Sequence, residues 1–301
     1  MISKAEGLDK QAVYKIWKNA FAQDDGGYTD FYFRHYYQDQ ETFVAKKDNE
    51  VIGCCSKHPH EVMLHGRMLR CSMIVGMAVK PNWRHKGVMH RLMDVILDEI
   101  DHQELITMIQ AYQPKLYEPF GFETIYTRRN WIIRKSEVKR IKQEVSIPTA
   151  KDCLILYGQF VSRFNGYVIR DLAYFETWIK EIEAEHGKLI AVFKDKKIQG
   201  YAAIYAENGK LEIRECLYLN SNALLQMVNY ALSIHPEISL QVSGSENLSK
   251  VFPHSKMEET EYTMVRLNNP DLFNRLYNCD VKTIKEAMNL NKEPLYMHEN
   301  H

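Results

Sequence analysis

The chain has little glycine or proline and no net charge. It contains 14 Gly and 9 Pro in 301 residues, and its 39 Lys and Arg balance its 39 Asp and Glu. Collagen-like and low-complexity chains need far more Gly and Pro, and nucleic acids or anionic membranes attract a basic surface. The composition therefore predicts a packed protein that has neither nucleic acid nor membrane as a partner.

Long apolar runs and paired cysteine motifs are also missing. No stretch approaches the roughly 18 apolar residues of a membrane span, and Met1–Glu6 lacks the apolar centre of a signal peptide. The six Cys form no pair of Cys-x-x-Cys motifs, which indicates reduced, structural thiols. Cys54, Cys55, His58 and His60 are close in sequence, but adjacent cysteines point to opposite faces of a strand. We therefore expect a cytoplasmic protein without a metal.

The chain repeats part of itself. Its length corresponds to roughly two domains, and Lys47–Gly53 and Lys194–Gly200 share the pattern Lys-Asp-x-x-(Val/Ile)-x-Gly between two apolar runs. Such a match can also arise from common turn chemistry, but a helical region precedes and a strand and a helix follow both copies. This organisation predicts two related domains over residues 1–135 and 145–265, followed by a short extension, 266–301.

Hydrophobic periodicity predicts the elements of the first domain. Helices are expected over residues 8–22, 28–37 and 88–100. Strands are expected over residues 42–46, 51–56, 61–64, 68–72, 73–79 and 105–109. Turn residues predict hairpins at 47–50 and at His65-Gly66.

The strongest local signal is a basic turn between a strand and a helix. The apolar run Met77–Val79 is broken at Pro81, passes through Arg84–Gly87 and opens into the helix that begins near Val88. Backbone N–H groups at a helix N-terminus lack intrahelical partners, and the helix dipole favours negative charge there. The segment therefore predicts an anion site, in which Gly87 allows a ligand to approach the backbone.

Two motifs in this region resemble the GNAT superfamily of acyl-CoA-dependent N-acyltransferases. Arg84, Gly87 and Met89 occupy the positions of the superfamily's (Gln/Arg)-x-x-Gly-x-(Gly/Ala) loop, with Met89 larger than the residue expected. Downstream, Tyr117–Phe122 is similar to its Tyr-x-x-x-Gly-Phe motif. The resemblance implies an α/β (α+β) fold of two tandem GNAT-like domains, each a mixed, mostly antiparallel twisted sheet flanked by helices.

Within the superfamily, the chain resembles most the enhanced-intracellular-survival (Eis) type. That type has an active N-terminal GNAT domain, a second GNAT domain without a working loop, and a sterol-carrier-like C-terminal domain, which here would be truncated. The second copy has Cys216–Asn222 in place of a phosphate loop, with neither basic residues nor Gly. We therefore expect the second domain to bind no CoA.

The resemblance also assigns roles to residues of the first domain. Tyr117 would be the general acid, and the chain's own C-terminal carboxylate, at His301, would be the base, because Met73–Met77 contains no acid. The backbone of one set of residues would bind the pantetheine arm and thioester of acetyl-CoA, and that of another its diphosphate. The first set is Met77, Ala78 and Val79, and the second is Arg84, His85, Lys86, Gly87, Val88, Met89 and His90.

An amine pocket is predicted from acidic and aromatic residues near the first two helices. Asp24, Asp25, Tyr32 and Tyr36 lie where the family's first two helices form a wall of that pocket, and acidic and aromatic surfaces suit a cation. The same residues also fit an ordinary turn after the first helix and a buried aromatic stripe. Both interpretations stand at this stage.

The sequence thus predicts an acetyl-CoA-dependent N-acetyltransferase that transfers acetyl to a primary amine by direct attack. A small-molecule or peptide amine would be its partner, and a homo-oligomer is expected by analogy. The alternatives are a degenerate GNAT-like protein that binds acyl-CoA or serves as a scaffold, and a phosphate- or nucleotide-binding α/β protein. The last alternative leaves the Tyr-x-x-x-Gly-Phe motif unexplained.

Overall fold

A computed structural model describes residues 1–22, 27–207 and 209–299 of the chain. Asp24, Asp25 and His301, three of the predicted site residues, lie outside these ranges. The chain divides into two compact units. Of the described residues, the first contains Met1–Ile125 and Thr263–Asn291, and the second contains Tyr126–Tyr262 and residues 292–299. The predicted domain limits at residues 135 and 145 both fall inside the second unit.

The elements follow in chain order. The helices are α1 (Lys10–Ala20), α2 (Tyr28–His35), α3 (Val88–Asp101), α4 (Ala150–Val161), α5 (Leu172–Ala184), α6 (Ser221–Ile234), α7 (Pro270–Tyr277) and α8 (Ile284–Met288). The strands are β1 (Ile2–Lys4), β2 (Thr42–Lys47), β3 (Glu50–Leu64), β4 (Arg67–Val79), β5 (Ile106–Ile109), β6 (Phe122–Arg134), β7 (Val145–Ser146), β8 (Tyr167–Val168), β9 (Lys188–Lys194), β10 (Lys197–Glu207), β11 (Lys210–Tyr218), β12 (Glu237–Ser243) and β13 (Lys256–Leu267).

The first unit is built on a mixed, mostly antiparallel sheet. Its strands run in the order β1-β2-β3-β4-β5, and the end of β13 pairs with β5. Among the described strands of this sheet, β4 and β5 are the parallel pair, because α3 connects them as a crossover. The predicted fold class is therefore confirmed for this unit. Helix α3 packs on the sheet through Val88, Leu92 and Ile96, which are buried with Cys55 and Ile74 in one core cluster.

Turn chemistry sets the hairpins of this sheet. Asp48 and Asn49 between β2 and β3, and His65 and Gly66 between β3 and β4, have positive φ, as two-residue hairpin turns require. The predicted hairpins are thus confirmed. The expected breaks within the strands at residues 57–60 and 72–73 are wrong, since β3 continues through Pro59 and β4 is one strand. Strand β2 pairs only as far as Ser56, so the missing N–H of Pro59 breaks no bond to β2.

The second unit repeats the central part of the first. Its sheet runs β6-β12-β11-β10-β9-β7, with β9-β10 and β10-β11 antiparallel and β11-β12 parallel. Helix α6 connects β11 to β12 as α3 connects β4 to β5. The two repeat glycines have one structural role: a Cβ on Gly53 would lie 3.1 Å from Val88, and one on Gly200 would lie 3.3 Å from Ala223. Each glycine lets the following helix approach the sheet.

Candidate active site

A β-bulge in β4 is the centre of the candidate site. Cys54 pairs with Ala78 and Ser56 with Val75, so Gly76 and Met77 together oppose the single residue Cys55. Gly76 has a φ of 61°, a left-handed conformation that glycine adopts without strain. The bulge bends β4 and changes the direction of the backbone groups that follow it.

Beyond the bulge, β4 loses its neighbour on one side. The parallel pairing of β4 with β5 covers only Cys71–Ile74 and Ile106–Ile109. In the described part of the chain, residues 75–79 therefore have a strand partner only on the β3 side. Met77 and Val79 are half-buried and Ala78 is buried, so the open edge is partly accessible. An extended amide-containing ligand can add to this edge as a further strand would.

The open edge leads directly into the N-terminus of α3. A short turn at Pro81–Trp83 follows β4, and Arg84 folds back so that its Nε donates to the Val79 carbonyl at 3.1 Å. His85 and Gly87 then take positive φ values of 60° and 72°. No side chain caps α3. Among the described residues, the backbone N–H groups of 85–90 find no intramolecular acceptor.

Basic side chains surround these amides. Arg84, His85, Lys86 and His90 are exposed, and the ammonium of Lys86 lies 5.0 Å from the centre of the Trp83 ring. Val88 is buried beneath the helix start and fixes it to the sheet, whereas Met89 is half-buried. The arrangement fits a ligand with several negative charges, because the dipole of α3, the backbone N–H groups and the basic side chains all favour negative charge at the same place.

Tyr117 lies on the same side of the sheet as α3. It sits between two short turns, Pro114–Leu116 and Glu118–Phe120, and is 8% exposed. Its ring belongs to the core cluster that contains Cys55, the residue opposite the bulge. Burial, with a smaller contribution from the Cys55 thiol, raises the pKa of Tyr117 well above 10. The phenol is therefore protonated at neutral pH.

The two aromatic residues predicted for the amine pocket have different environments. Tyr32 is fully buried, stacks on Trp17 at 4.2 Å between ring centres, and hydrogen-bonds to Nε2 of His58 at 2.8 Å. Tyr36 is half-buried and packs at an angle against Tyr32 and His58. Tyr32 thus has the environment of a core residue, which was the other interpretation of the aromatic stripe.

Trp17 and Gly76 are site residues that the sequence analysis did not identify. The Trp17 indole packs directly over the bulge, so that a Cβ on Gly76 would lie 1.8 Å from Cζ2 of the indole. A lone glycine inside an apolar strand was the one available signal for the bulge. Trp17 carried no comparable signal, because an apolar helix position predicts only core packing.

No carboxylate lies on β4 at the bulge. The buried Glu104 is engaged elsewhere: its two oxygens accept from the backbone N and the hydroxyl of Ser72, at 2.6 and 2.7 Å. Burial raises the pKa of Glu104, and the bonds from Ser72 oppose this shift. Over the described residues, no three His, Cys, Asp or Glu side chains form a group that could hold a metal ion.

The second unit differs at the matching helix. Helix α6 is capped by Asn220, whose Oδ1 accepts from the Ala223 N–H at 3.0 Å. The Asn220 amide nitrogen in turn donates to Gln199 at 3.1 Å. A side chain thus occupies the position that the α3 N-terminus leaves open.

None of the helices in the described ranges combines the length and the apolarity that crossing a membrane requires.

Comparisons with known proteins give one family match and several solved structures of similar fold. Residues 2–125 match the family model of the acetyltransferase (GNAT) domain. No curated protein shows a significant sequence match to the chain. A structure from Enterococcus faecalis, described as a probable N-acyltransferase, superposes with a TM-score of 0.75 at 17% identity, covering 89% of this chain and 72% of that one.

Two further solved structures share the fold. A GCN5-related N-acetyltransferase from Anabaena variabilis gives a TM-score of 0.75 at 18% identity, covering 89% of this chain and 73% of that one. Eis1 from Mycobacterium abscessus gives a TM-score of 0.69 at 13% identity, covering 91% of this chain and 75% of that one. These likenesses establish a shared fold over most of the chain, and the family match covers the N-terminal part of the first unit, which contains the bulge and the basic turn. Residues 2–125 thus match an acetyltransferase (GNAT) domain, and the chain shares its fold with these solved structures.

Proposed function

We propose that the chain is an acetyl-CoA-dependent N-acetyltransferase that acetylates a primary amine by direct attack in a ternary complex. One observation carries this proposal: the open, bulged edge of β4 runs directly into an uncapped, basic helix N-terminus. An acyl-CoA has the matching order of groups, with a thioester, a pantetheine arm that contains amides, and a diphosphate.

The diphosphate would lie at the start of α3. The amides of residues 85–90 supply donors, and Arg84 and Lys86 supply positive charge. Gly87 lets the ligand approach because its outer side is open, with only the flexible end of Arg91 at 3.4 Å from a Cβ. The folded-back Arg84 also ties the loop to Val79, and so to the end of the open edge.

The pantetheine arm and the acetyl group would lie along residues 77–79. Backbone N–H groups next to the bulge can donate hydrogen bonds to the thioester oxygen and so stabilise the negative charge that develops on it during attack. In the reaction, the amine nitrogen forms a bond to the acetyl carbon and the carbon–sulfur bond breaks. The sulfur leaves as a thiolate and takes up a proton.

Tyr117 would supply that proton. A protonated phenol beside the bulge can donate to a thiolate, whose ordinary pKa is about 8.5. The attacking amine must also lose a proton, and by the resemblance we assign this role to the C-terminal carboxylate of His301. The resemblance likewise supports a cytoplasmic, homo-oligomeric enzyme. Asp24 and Asp25 remain candidates for binding the cationic amine.

The test is thiol release from acetyl-CoA against a panel of amines, including aminoglycosides, polyamines and lysine peptides. The proposal predicts at least one amine that drives release in the wild type but not in Gly87→Glu. Gly66→Glu is the matched control, because Gly66 is an exposed glycine of positive φ in a hairpin outside the site. Acetyl-CoA binding without release by any amine would instead support the degenerate acyl-CoA-binding protein.

A further inference from the structure

The last described residues of the chain are buried inside the second unit. Tyr296, Met297, His298 and Glu299 are each at most 2% exposed. The backbone of this segment pairs with Asn165 as a short parallel bridge. The Asn165 N–H donates to the Pro294 carbonyl at 2.9 Å, and the Tyr296 N–H donates to the Asn165 carbonyl at 2.9 Å. The segment is therefore bound in an extended conformation, as a peptide ligand would be.

The segment lies against a second bulge. In β11, Glu215 pairs with Ala203 and Ile213 with Ile204, so the register shifts by one residue at Arg214, which forms a β-bulge. Strand β11 holds the same place in the second unit as β4 holds in the first: antiparallel to the preceding strand, parallel to the next, and followed by a crossover helix. The Arg214 bulge is thus the second unit's counterpart of the Gly76 bulge.

Two side chains of the segment, His298 and Tyr296, contact this bulge and its surroundings. His298 donates through Nε2 to the Arg214 carbonyl at the bulge itself. Tyr296 packs against Phe160 and Phe164, with ring centres 5.4 and 5.2 Å away. Burial, reinforced by the nearby Arg128 charge, lowers the pKa of His298 to about 4, so the imidazole is neutral and suited to this hydrogen bond.

Glu299 completes a buried ionic cluster. Arg170 donates through Nε to Glu299 Oε1 at 2.9 Å, and its two terminal nitrogens bind both oxygens of Glu215 at 2.8 and 3.0 Å. Tyr174 donates to the other Glu299 oxygen at 2.6 Å, and Tyr201 donates to Glu215 at 2.7 Å. Arg170 thus links the bulge strand to the end of the segment.

Two hydroxyl groups hold the segment's backbone. Ser245 donates to the Leu295 carbonyl and Tyr262 to the Glu299 carbonyl. The segment is therefore recognised through its main chain, an aromatic ring, an imidazole and a carboxylate, which is the set of contacts of a sequence-specific peptide site.

We infer that the bulged site of the second unit is a peptide-binding site. The peptide that it binds in this structure is the chain's own segment Pro294–Glu299. The site binds an extended peptide of the sequence Tyr-x-His-Glu. It recognises the Tyr ring, the neutral His imidazole and the Glu side-chain carboxylate. This assignment does not depend on the proposed acetyl transfer. It gives the second unit a binding role of its own, with Asn220 occupying the neighbouring helix N-terminus.

In the test, the full-length protein is cut after it has folded, so that the C-terminal segment becomes a separate peptide. A protease recognition sequence is inserted between Asn291 and Lys292, the purified chain is cut, and retention of the released segment is followed by size-exclusion chromatography and mass spectrometry. A fluorescent peptide of residues 292–301 is then exchanged into the cut protein and its dissociation is measured by anisotropy. Retention with saturable exchange is the expected result.

Glu299→Gln and Glu293→Gln are compared as matched variants. Glu299 is buried on Arg170, whereas Glu293, on the same segment, is exposed. We expect Glu299→Gln to speed dissociation at least tenfold and Glu293→Gln to leave it within twofold. Tyr174→Phe, which removes one bond to Glu299 and leaves the Arg170–Glu215 pair, is a second variant should Glu299→Gln not fold. Immediate loss of the wild-type segment from a still folded protein, or equal effects of Glu299→Gln and Glu293→Gln, would overturn the inference.

Discussion

Gly76 and Trp17 are in contact across the bulge of β4, so closely that no side chain fits at position 76. A Cβ there would lie within 1.8 to 2.6 Å of three atoms of the indole. The indole belongs to the stack with Tyr32, and Tyr32 is bound to His58 on β3. The shape of the bulge is therefore fixed by the aromatic core of α1 and α2.

Gly76→Ala is expected to destabilise the protein and abolish acetyl transfer. Positive φ costs a non-glycine residue about 1–2 kcal/mol, and the contact with Trp17 adds a steric cost that requires the indole to move. Gly66→Ala is the control, because Gly66 has a φ of 75° and no atom within 4 Å of a Cβ. Urea unfolding should show a clearly larger loss of stability for Gly76→Ala. Equal losses would mean that the Trp17 contact is unimportant.

Tyr117→Phe tests the proposed general acid. The phenyl ring keeps the packing with Phe122 and the core, so acetyl-CoA binding should be unchanged. The turnover rate should fall by about 10²-fold, the size of effect typical of a general acid. Tyr112→Phe is the control, because Tyr112 is 76% exposed, and it should keep its activity. Full activity of Tyr117→Phe would assign protonation of the thiolate to another group.

Asn220→Ala tests the difference between the two helix starts. The variant removes the cap of α6 and should cost about 1 kcal/mol of stability. It should leave the affinity for acetyl-CoA unchanged, because the cofactor is assigned to α3 alone. Calorimetric titration should give one acetyl-CoA per chain for both the wild type and the variant. A stoichiometry of two would contradict the assignment of a single site.

Stability should fall on acidification through the titration of His298. Its pKa in the folded chain is about 4, below the ordinary 6.5, because the buried ring must stay neutral. The unfolded chain therefore binds the proton first, and stability present above pH 6.5 is lost as the pH falls towards 4. The expected contribution over this window is about 3 kcal/mol.

The control for this prediction is His298→Gln, which keeps an N–H donor but does not titrate. The stability difference between wild type and His298→Gln, measured by urea unfolding at several pH values, should change between pH 6.5 and 4 and be constant above pH 7. Comparing the two proteins removes contributions that they share, such as that of Glu246, whose pKa burial raises to about 7. A difference independent of pH would show that His298 is not held neutral.

Sequence patterns identified the parts of the structure that depend on local chemistry. The hairpin turns, helices α1 to α3 and the basic loop were predictable, because the conformation of each depends on residues that are close to it in the sequence. The continuity of strand β3 through Pro59 was not predictable, because it depends on which part of β3 pairs with β2. Helix α3 shows the strength of the local signals: it was expected over 88–100 and is observed over Val88–Asp101.

Contacts between distant segments could not be read from the sequence. Trp17 reaches Gly76, and Glu299 reaches Arg170, only through the tertiary fold. Glu215 illustrates the same limit, since a charged residue in a strand is expected at the surface, yet it is 1% exposed. Its burial depends on Arg170, which lies between β8 and α5, and so on the folded structure.

Calorimetric titration of acetyl-CoA into the wild type, Gly87→Glu and Gly66→Glu tests the proposed function most directly. We expect micromolar binding to the wild type and to Gly66→Glu. We expect no measurable binding to Gly87→Glu, because a carboxylate would then occupy the anion site at the start of α3. Absence of binding to the wild type, or equal affinity for all three proteins, would contradict the assignment of the β4–α3 segment as the acetyl-CoA site.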